Sequence, residues 1–203
     1  MHISDGVLPI SITVASWAVS FGGAAYSLRC MKNEDLPKVA VVTSAFFVAS
    51  LIHLPFGPTS VHLILPGIVG ALLGPVAFLS IVLGLFLQSI LFQFGGLTAL
   101  GANALMMGLP ALFCGLLFQG IRGKTVLSHT IAGAVCGGLG TAMAATVLAC
   151  LLATAGENFV GVAKLALAAH VPVFLVEAGV SAFTVSFLFR VKPELLTTGR
   201  FRT

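Results

Sequence analysis

Long apolar runs separated by short polar turns dominate the chain. They extend over Ile10–Leu28, Val39–Leu54, Val61–Leu73, Val76–Phe94, Ala102–Ile121, Val126–Ala155 and Val160–Phe189. A helix needs about 20 predominantly apolar residues to cross a hydrocarbon core of roughly 30 Å. The runs therefore predict an all-α integral membrane protein, a seven-transmembrane-helix bundle. The third run is anomalous, because a helix over Val61–Leu73 rises only about 20 Å and Pro66-Gly67 interrupts it. The turn before it, Leu54 to Ser60, is expected to dip inward. Neither that turn nor the loop Gly95–Gly101 carries a charge. Irregular backbone at membrane depth persists only where protein or a cavity satisfies its polar groups. Both loops are thus either linings of an outward-facing site or short hairpin connectors at the interface.

Composition sharpens the membrane reading. Of 203 residues, 58% are hydrophobic and 8% charged, against roughly 25% charged in soluble domains. Ten Lys and Arg face six Asp and Glu, but the basic residues sit singly in short loops and form no nucleic-acid-binding patch. With the N-terminus outside, the inner loops hold Arg29, Lys32 and Lys38, then Arg122 and Lys124, then Arg190, Lys192, Arg200 and Arg202, leaving only Lys164 at the other face. The positive-inside rule then places the C-terminus in the cytoplasm of a multi-pass cell-membrane protein. The chain reads as a single membrane domain over 1–203, with residues 1–8 as a metal-chelating segment, 9–190 as the bundle and 191–203 as a cytoplasmic tail. MHISDGVLP lacks the basic region that opens a secretory signal, so Met1 is expected to stay in the mature protein. Cys30, Cys114, Cys136 and Cys150 show no CxxC spacing and read as small hydrophobes.

The N-terminus carries the most specific chemistry. A free α-amine, the amide nitrogen of residue two and Nδ1 of a histidine at residue two can wrap one metal ion in fused chelate rings, and Met1-His2 supplies all three donors. Three nitrogens leave one corner of a square plane open, a geometry that suits Ni(II) or Cu(II), with Co(II) possible. His62, just after the inward-dipping turn, is the best residue to fill that corner. Met1 to Leu8 can stretch at most about 28 Å, and Asp5-Gly6 is a turn signal that lets the segment double back. The metal set is therefore Met1, His2 and His62. Taken singly, each histidine could be a disordered terminal residue or a packing residue. His53 could support the site or sit at the interface, and His129 lies near the inner face, where metal capture has no use. His170 and Glu177 share a face two turns apart on the last helix and could relay protons or fasten helices. Asn103 could bond the N-terminal loop or cap a helix.

MHISDG, the turn Thr59-Ser60-Val61-His62 and the stretch Gly95-Gly96-Leu97-Thr98-Ala99-Leu100-Gly101-Ala102-Asn103 together resemble the CbiM/NikM family, the cobalt- or nickel-binding S components of energy-coupling factor transporters. The resemblance covers essentially the whole chain. It implies a substrate-binding subunit of an ATP-driven uptake transporter, with the ion held by the terminal amine, the backbone and ring nitrogens of His2 and the histidine matching His62. It also implies partners: a transmembrane coupling protein, two cytoplasmic ATPases and a small accessory membrane subunit. His62 is followed by Leu63-Ile64-Leu65-Pro66-Gly67 in place of the Ser-His-Pro-Thr-Gly type of turn of the cobalt branch, so nickel and cobalt both stay open. The chain has no GxxxxGK[ST] phosphate loop, so ATP hydrolysis is expected from the partners, and no catalytic cofactor is expected. The alternative is a proton-coupled secondary transporter or an integral-membrane enzyme using His170 and Glu177.

Overall fold

The inverted polarity of the first helix sets the architecture. In α1 (Ile10–Cys30) the buried residues are Ser16, Ser20 and Ser27, whereas Ile10, Val14, Phe21 and Leu28 face outward. The fully buried positions of α1 are thus polar and small while many of its large apolar side chains face outward, as a lipid surround allows. The inward serines find carbonyls on other elements: Ser20 Oγ donates to Gly101 O at 2.7 Å and Ser27 Oγ to Pro75 O at 2.7 Å.

The computed structural model describes residues 2–56 and 59–196. After α1 come α2 (Leu36–Ala49), a hairpin of β1 (His53–Phe56) and β2 (Thr59–His62), then α3 (Pro66–Leu73), α4 (Ala77–Phe92), α5 (Leu100–Ile121), α6 (Val126–Ala153) and α7 (Glu157–Val191). A short 3-10 turn, Gly74–Val76, joins α3 to α4. Among the described residues, four stretches are long and apolar enough to cross a membrane: Pro66–Phe92, Leu100–Ile121, Val126–Ala153 and Glu157–Val191. Of these, Pro66–Phe92 is the innermost, with 78% of its most apolar stretch buried against 17% for Glu157–Val191. The 14-residue α2 rises only about 21 Å.

The region between α2 and α3 corrects the purely helical expectation. Helix α2 stops at Ala49 instead of Leu54, and α3 starts at Pro66 instead of Val61. At the first boundary, Ser50 Oγ donates to Phe47 O at 2.6 Å, closing off the last turn of α2. Beyond it the backbone pairs antiparallel, with His53 opposite His62 and Phe56 opposite Thr59. Pro66 suits a first helical position, where no N–H is needed. Leu65 before it takes a left-handed conformation (φ 46°), which is rare and costly for a branched side chain.

The strain at Leu65 is held by a distant carboxylate. Glu177 of α7, wholly buried, accepts the amide of Leu65 at 2.9 Å and also that of Ile64. These amides have no turn of helix before them to bond, so Glu177 caps α3 from across the bundle. Farther along α3, Gly67 allows direct backbone contact with α6, since a Cβ there would lie 2.0 Å from Cys136 O. Cys114 and Cys136 are free and buried, and each thiol points at the other's carbonyl at 3.4 Å.

Candidate functional site

The segment before α1 does not hang free. Its backbone turns at Asp5-Gly6, where Gly6 has φ 79°, and residues 2–5 lie along the loop that joins α4 to α5. Asn103 receives Ile3 as a strand would: Ile3 N–H donates to Asn103 Oδ1 at 2.8 Å and Asn103 Nδ2 donates to Ile3 O at 2.9 Å. Two residues on, Asp5 Oδ1 accepts Thr98 Oγ1 at 2.6 Å and the Ala99 amide at 2.9 Å. These bonds, Thr98 foremost, hold the Asp5 carboxyl below the usual carboxylate range. Gly96, at φ 97°, makes room for that carboxylate: a Cβ there would fall 2.3 Å from it. The loop is itself anchored to α1, because Trp17 Nε1 donates to Thr98 O at 3.0 Å.

Held in this way, His2 meets His62. Their rings stack with centroids 5.0 Å apart and planes 23° apart, and the His2 ring also touches Phe94 at 5.8 Å. His62 is 7% exposed. Its Nδ1 lies 3.0 Å from Leu63 O; a carbonyl only accepts, so the ring proton sits on Nδ1 and the lone pair on Nε2. His2 Nε2 lies 2.9 Å from Oε1 of Gln88, a fully buried residue of α4. The hairpin, α4 and the N-terminal segment thus converge on two imidazoles from positions 60 residues apart.

Residues 2–195 match the family described as the cobalt uptake substrate-specific transmembrane region, CbiM. The chain belongs to the CbiM family. Among CbiM-related proteins, one from Haemophilus influenzae named for metal transport is 35% identical over 202 residues, with 97% of each chain covered. The cobalt transport protein CbiM of Sorangium cellulosum is 29% identical over 213 residues, covering 97% of this chain and 94% of that one. The fused nickel transport protein NikMN of Rhodobacter capsulatus is 36% identical over 140 residues, 64% of this chain and 40% of that one. The crystal structure of a truncated transition metal transporter superposes with a TM-score of 0.73 at 25% identity, covering 94% of this chain and 99% of that one. CbiM membership, with the long apolar helices, makes this a multi-pass membrane component of the metal-uptake kind.

Within this CbiM chain, the residues singled out in the sequence fall into distinct places. His2 and His62 come together, and Asn103 binds the N-terminal segment. Asn103 is not a cap, since α5 opens after Ala99 with no side-chain cap. Met1 and the side chain of His53 lie outside the described residues, as do Arg200 and Arg202. His129 packs against Phe189 at 4.2 Å and lies 3.1 Å from Thr125 O. His170 is buried with Nδ1 2.6 Å from Ala166 O, and Glu177 fastens α7 to the backbone after His62. Among the described residues no group of three or more His, Cys, Asp or Glu could hold a metal ion; the pair His2 and His62 would need backbone nitrogens to complete a set. Sequence reasoning passed over Gln88, whose signal was a lone side-chain amide deep in the run Val76–Phe94, and the serine face of α1, written in the spacing of Ser16, Ser20 and Ser27.

Proposed function

We propose that this chain is the metal-capturing membrane subunit of an ATP-driven uptake transporter, taking Ni(II) or Co(II) as its cargo from outside the cell. The observation that carries the reading is the stack of His2 on His62, since nothing but the N-terminal fold-back brings residue two to a buried histidine. The four donors are the Met1 amine, the His2 amide, His2 Nδ1 and His62 Nε2. The first three belong to one short stretch of chain and close five- and six-membered chelate rings, and the fourth comes from the hairpin. Nitrogen-only donors in a plane suit nickel and accommodate cobalt.

The bundle of seven helices crosses the cell membrane with residue two outside and the C-terminus in the cytoplasm. Supporting this, Arg122, Lys124, Arg190 and Lys192 all lie at helix ends remote from His2, and Arg122 Nη1 donates to the carbonyl of Leu196 there. A coupling protein, two ATPases and a small accessory membrane subunit provide the energy and the return path. X-ray absorption on the nickel-loaded purified chain tests the site. Four nitrogens in a plane are expected, and a shell of oxygens or sulfurs overturns the assignment.

A further inference from the structure

Gln88 is wholly buried, and its Nε2 has no hydrogen-bond partner in the described structure. A side chain of that kind is costly to bury and has no packing advantage over Leu, its neighbour at positions 85 and 87. Its one bond is Oε1 to Nε2 of His2 at 2.9 Å. We propose that Gln88 is the positioning residue for metal capture, its amide oxygen fixing the His2 ring proton on Nε2 so that Nδ1 is presented to the ion. The proposal rests on the capture reading above.

The argument is one of tautomers. An amide oxygen accepts and never donates, so the bond exists only when His2 carries its proton on Nε2. The lone pair then lies on Nδ1. That is the nitrogen able to close a six-membered ring with the His2 amide, because Nε2 sits on the far side of the imidazole. In the opposite tautomer the proton occupies the ligating position and the Gln88 oxygen loses its donor inside the protein. His62 and Phe94 limit the tilt of the ring by stacking, and Gln88 sets its rotation within that plane. Outer partners of this kind orient a ligating histidine and raise its basicity, and their loss typically weakens metal binding 10- to 100-fold, by order of magnitude.

The test uses the full chain in detergent with Ni2+ alone as the probe, and nitrogen-15 histidine labelling to read the tautomer of His2 before metal is added. In the wild type, His2 is expected as the Nε2–H form. Gln88→Leu should turn this into a mixture and weaken Ni2+ binding by roughly 10- to 100-fold, with thermal stability unchanged or raised because a buried amide has gone. Gln88→Glu, which still accepts, should restore both the tautomer and the affinity; Gln88→Ile serves as a second acceptor-free variant if Gln88→Leu folds poorly. A wild-type His2 protonated on Nδ1, an unchanged affinity in both acceptor-free variants, or a Gln88→Glu protein as weak as Gln88→Leu would overturn the role of Gln88 while leaving metal capture standing. If instead the wild type binds no Ni2+, or His2→Ala binds it as well as the wild type, the capture reading itself fails and the proposal fails with it.

Discussion

Asn103 bonds both backbone groups of Ile3, accepting its N–H at 2.8 Å and donating to its carbonyl at 2.9 Å. One side chain thereby does the work of a neighbouring strand, and it does so for the residue next to His2. Asn103→Ala leaves both groups of Ile3 without partners in a buried place, at a cost on the order of 1–3 kcal/mol each. Faster hydrogen exchange at residues 2–8 and weaker metal binding are expected, with the helices unaffected. Unchanged exchange in this segment would show that the rest of the loop holds it alone.

Removal of either imidazole is expected to abolish tight metal binding while the protein stays folded. His2→Ala takes away the ring donor of the chelate, and His62→Ala leaves three donors and an open corner. His129→Ala is the control, because that ring packs on Phe189 far from the site. Metal content after purification decides it, and equal loss in all three variants would mean misfolding instead of ligand loss.

Metal affinity should rise steeply with pH, because the ion displaces protons from the amine, the imidazoles and the His2 amide. The Asp5 clasp does not account for this slope. Its carboxyl is held below the usual range by Thr98, so its contribution is complete above the unfolded carboxylate value and is lost only as pH falls through the still lower folded one. Calorimetry in buffers of different ionisation enthalpy should register proton release on binding. Asp5→Asn should leave the shape of the pH profile near neutrality unchanged, and affinity that is flat with pH would exclude amine and amide ligation.

Glu177→Leu strips the amides of Ile64 and Leu65 of their acceptor, at roughly 1–3 kcal/mol for each buried N–H. A lower melting temperature is expected, together with weaker metal binding, since His62 precedes these amides by two and three residues. Glu177→Gln keeps an acceptor oxygen and should recover much of both. A Leu variant as stable as the wild type would show that water takes over the cap.

The small residues Ala45 and Ala49 of α2 line an outward cleft between α2 and α7 together with Val180 and Thr184. Small-xxx-small spacing lets another helix approach closely, and a coupling protein is the expected visitor. Ala45→Leu with Ala49→Leu should leave metal binding by the isolated chain intact while cellular uptake and co-purification of the coupling subunits fall together. Unchanged uptake would remove this face from docking.

How far the sequence could be read depended on whether the deciding interaction was local. Helices α4 to α7 follow from apolar runs alone, because a long and predominantly apolar stretch has few other stable forms in lipid. The strand pairing was not legible in this way: Leu54 to Ser60 reads as a turn, but the residues flanking it pass for helix ends, and what separates them is the pairing of His53 with His62 and the carboxylate of Glu177, more than 100 positions away. At the candidate site, His2 and His62 could be singled out because a terminal chelate needs only atoms adjacent in the chain, and the structure brings the two rings together. Gln88 could not, since a buried amide that orients a ring and one that merely packs look alike in sequence. Asp5 was legible as a turn former, but its bonds to Thr98 and Ala99 depend on the loop that wraps it.

The carboxylate that steadies Leu65 also ties α7 to the backbone beside His62. Helix α7 runs 35 residues, from Glu157 to Val191, and Glu177 stands about 21 Å along its axis from the C-terminal end. Any tilt of that far end would reach the peptide just beyond His62 through the bonds to Ile64 and Leu65. The middle of α7 and the backbone that follows the hairpin thus share one joint, although more than 100 positions separate them in the chain.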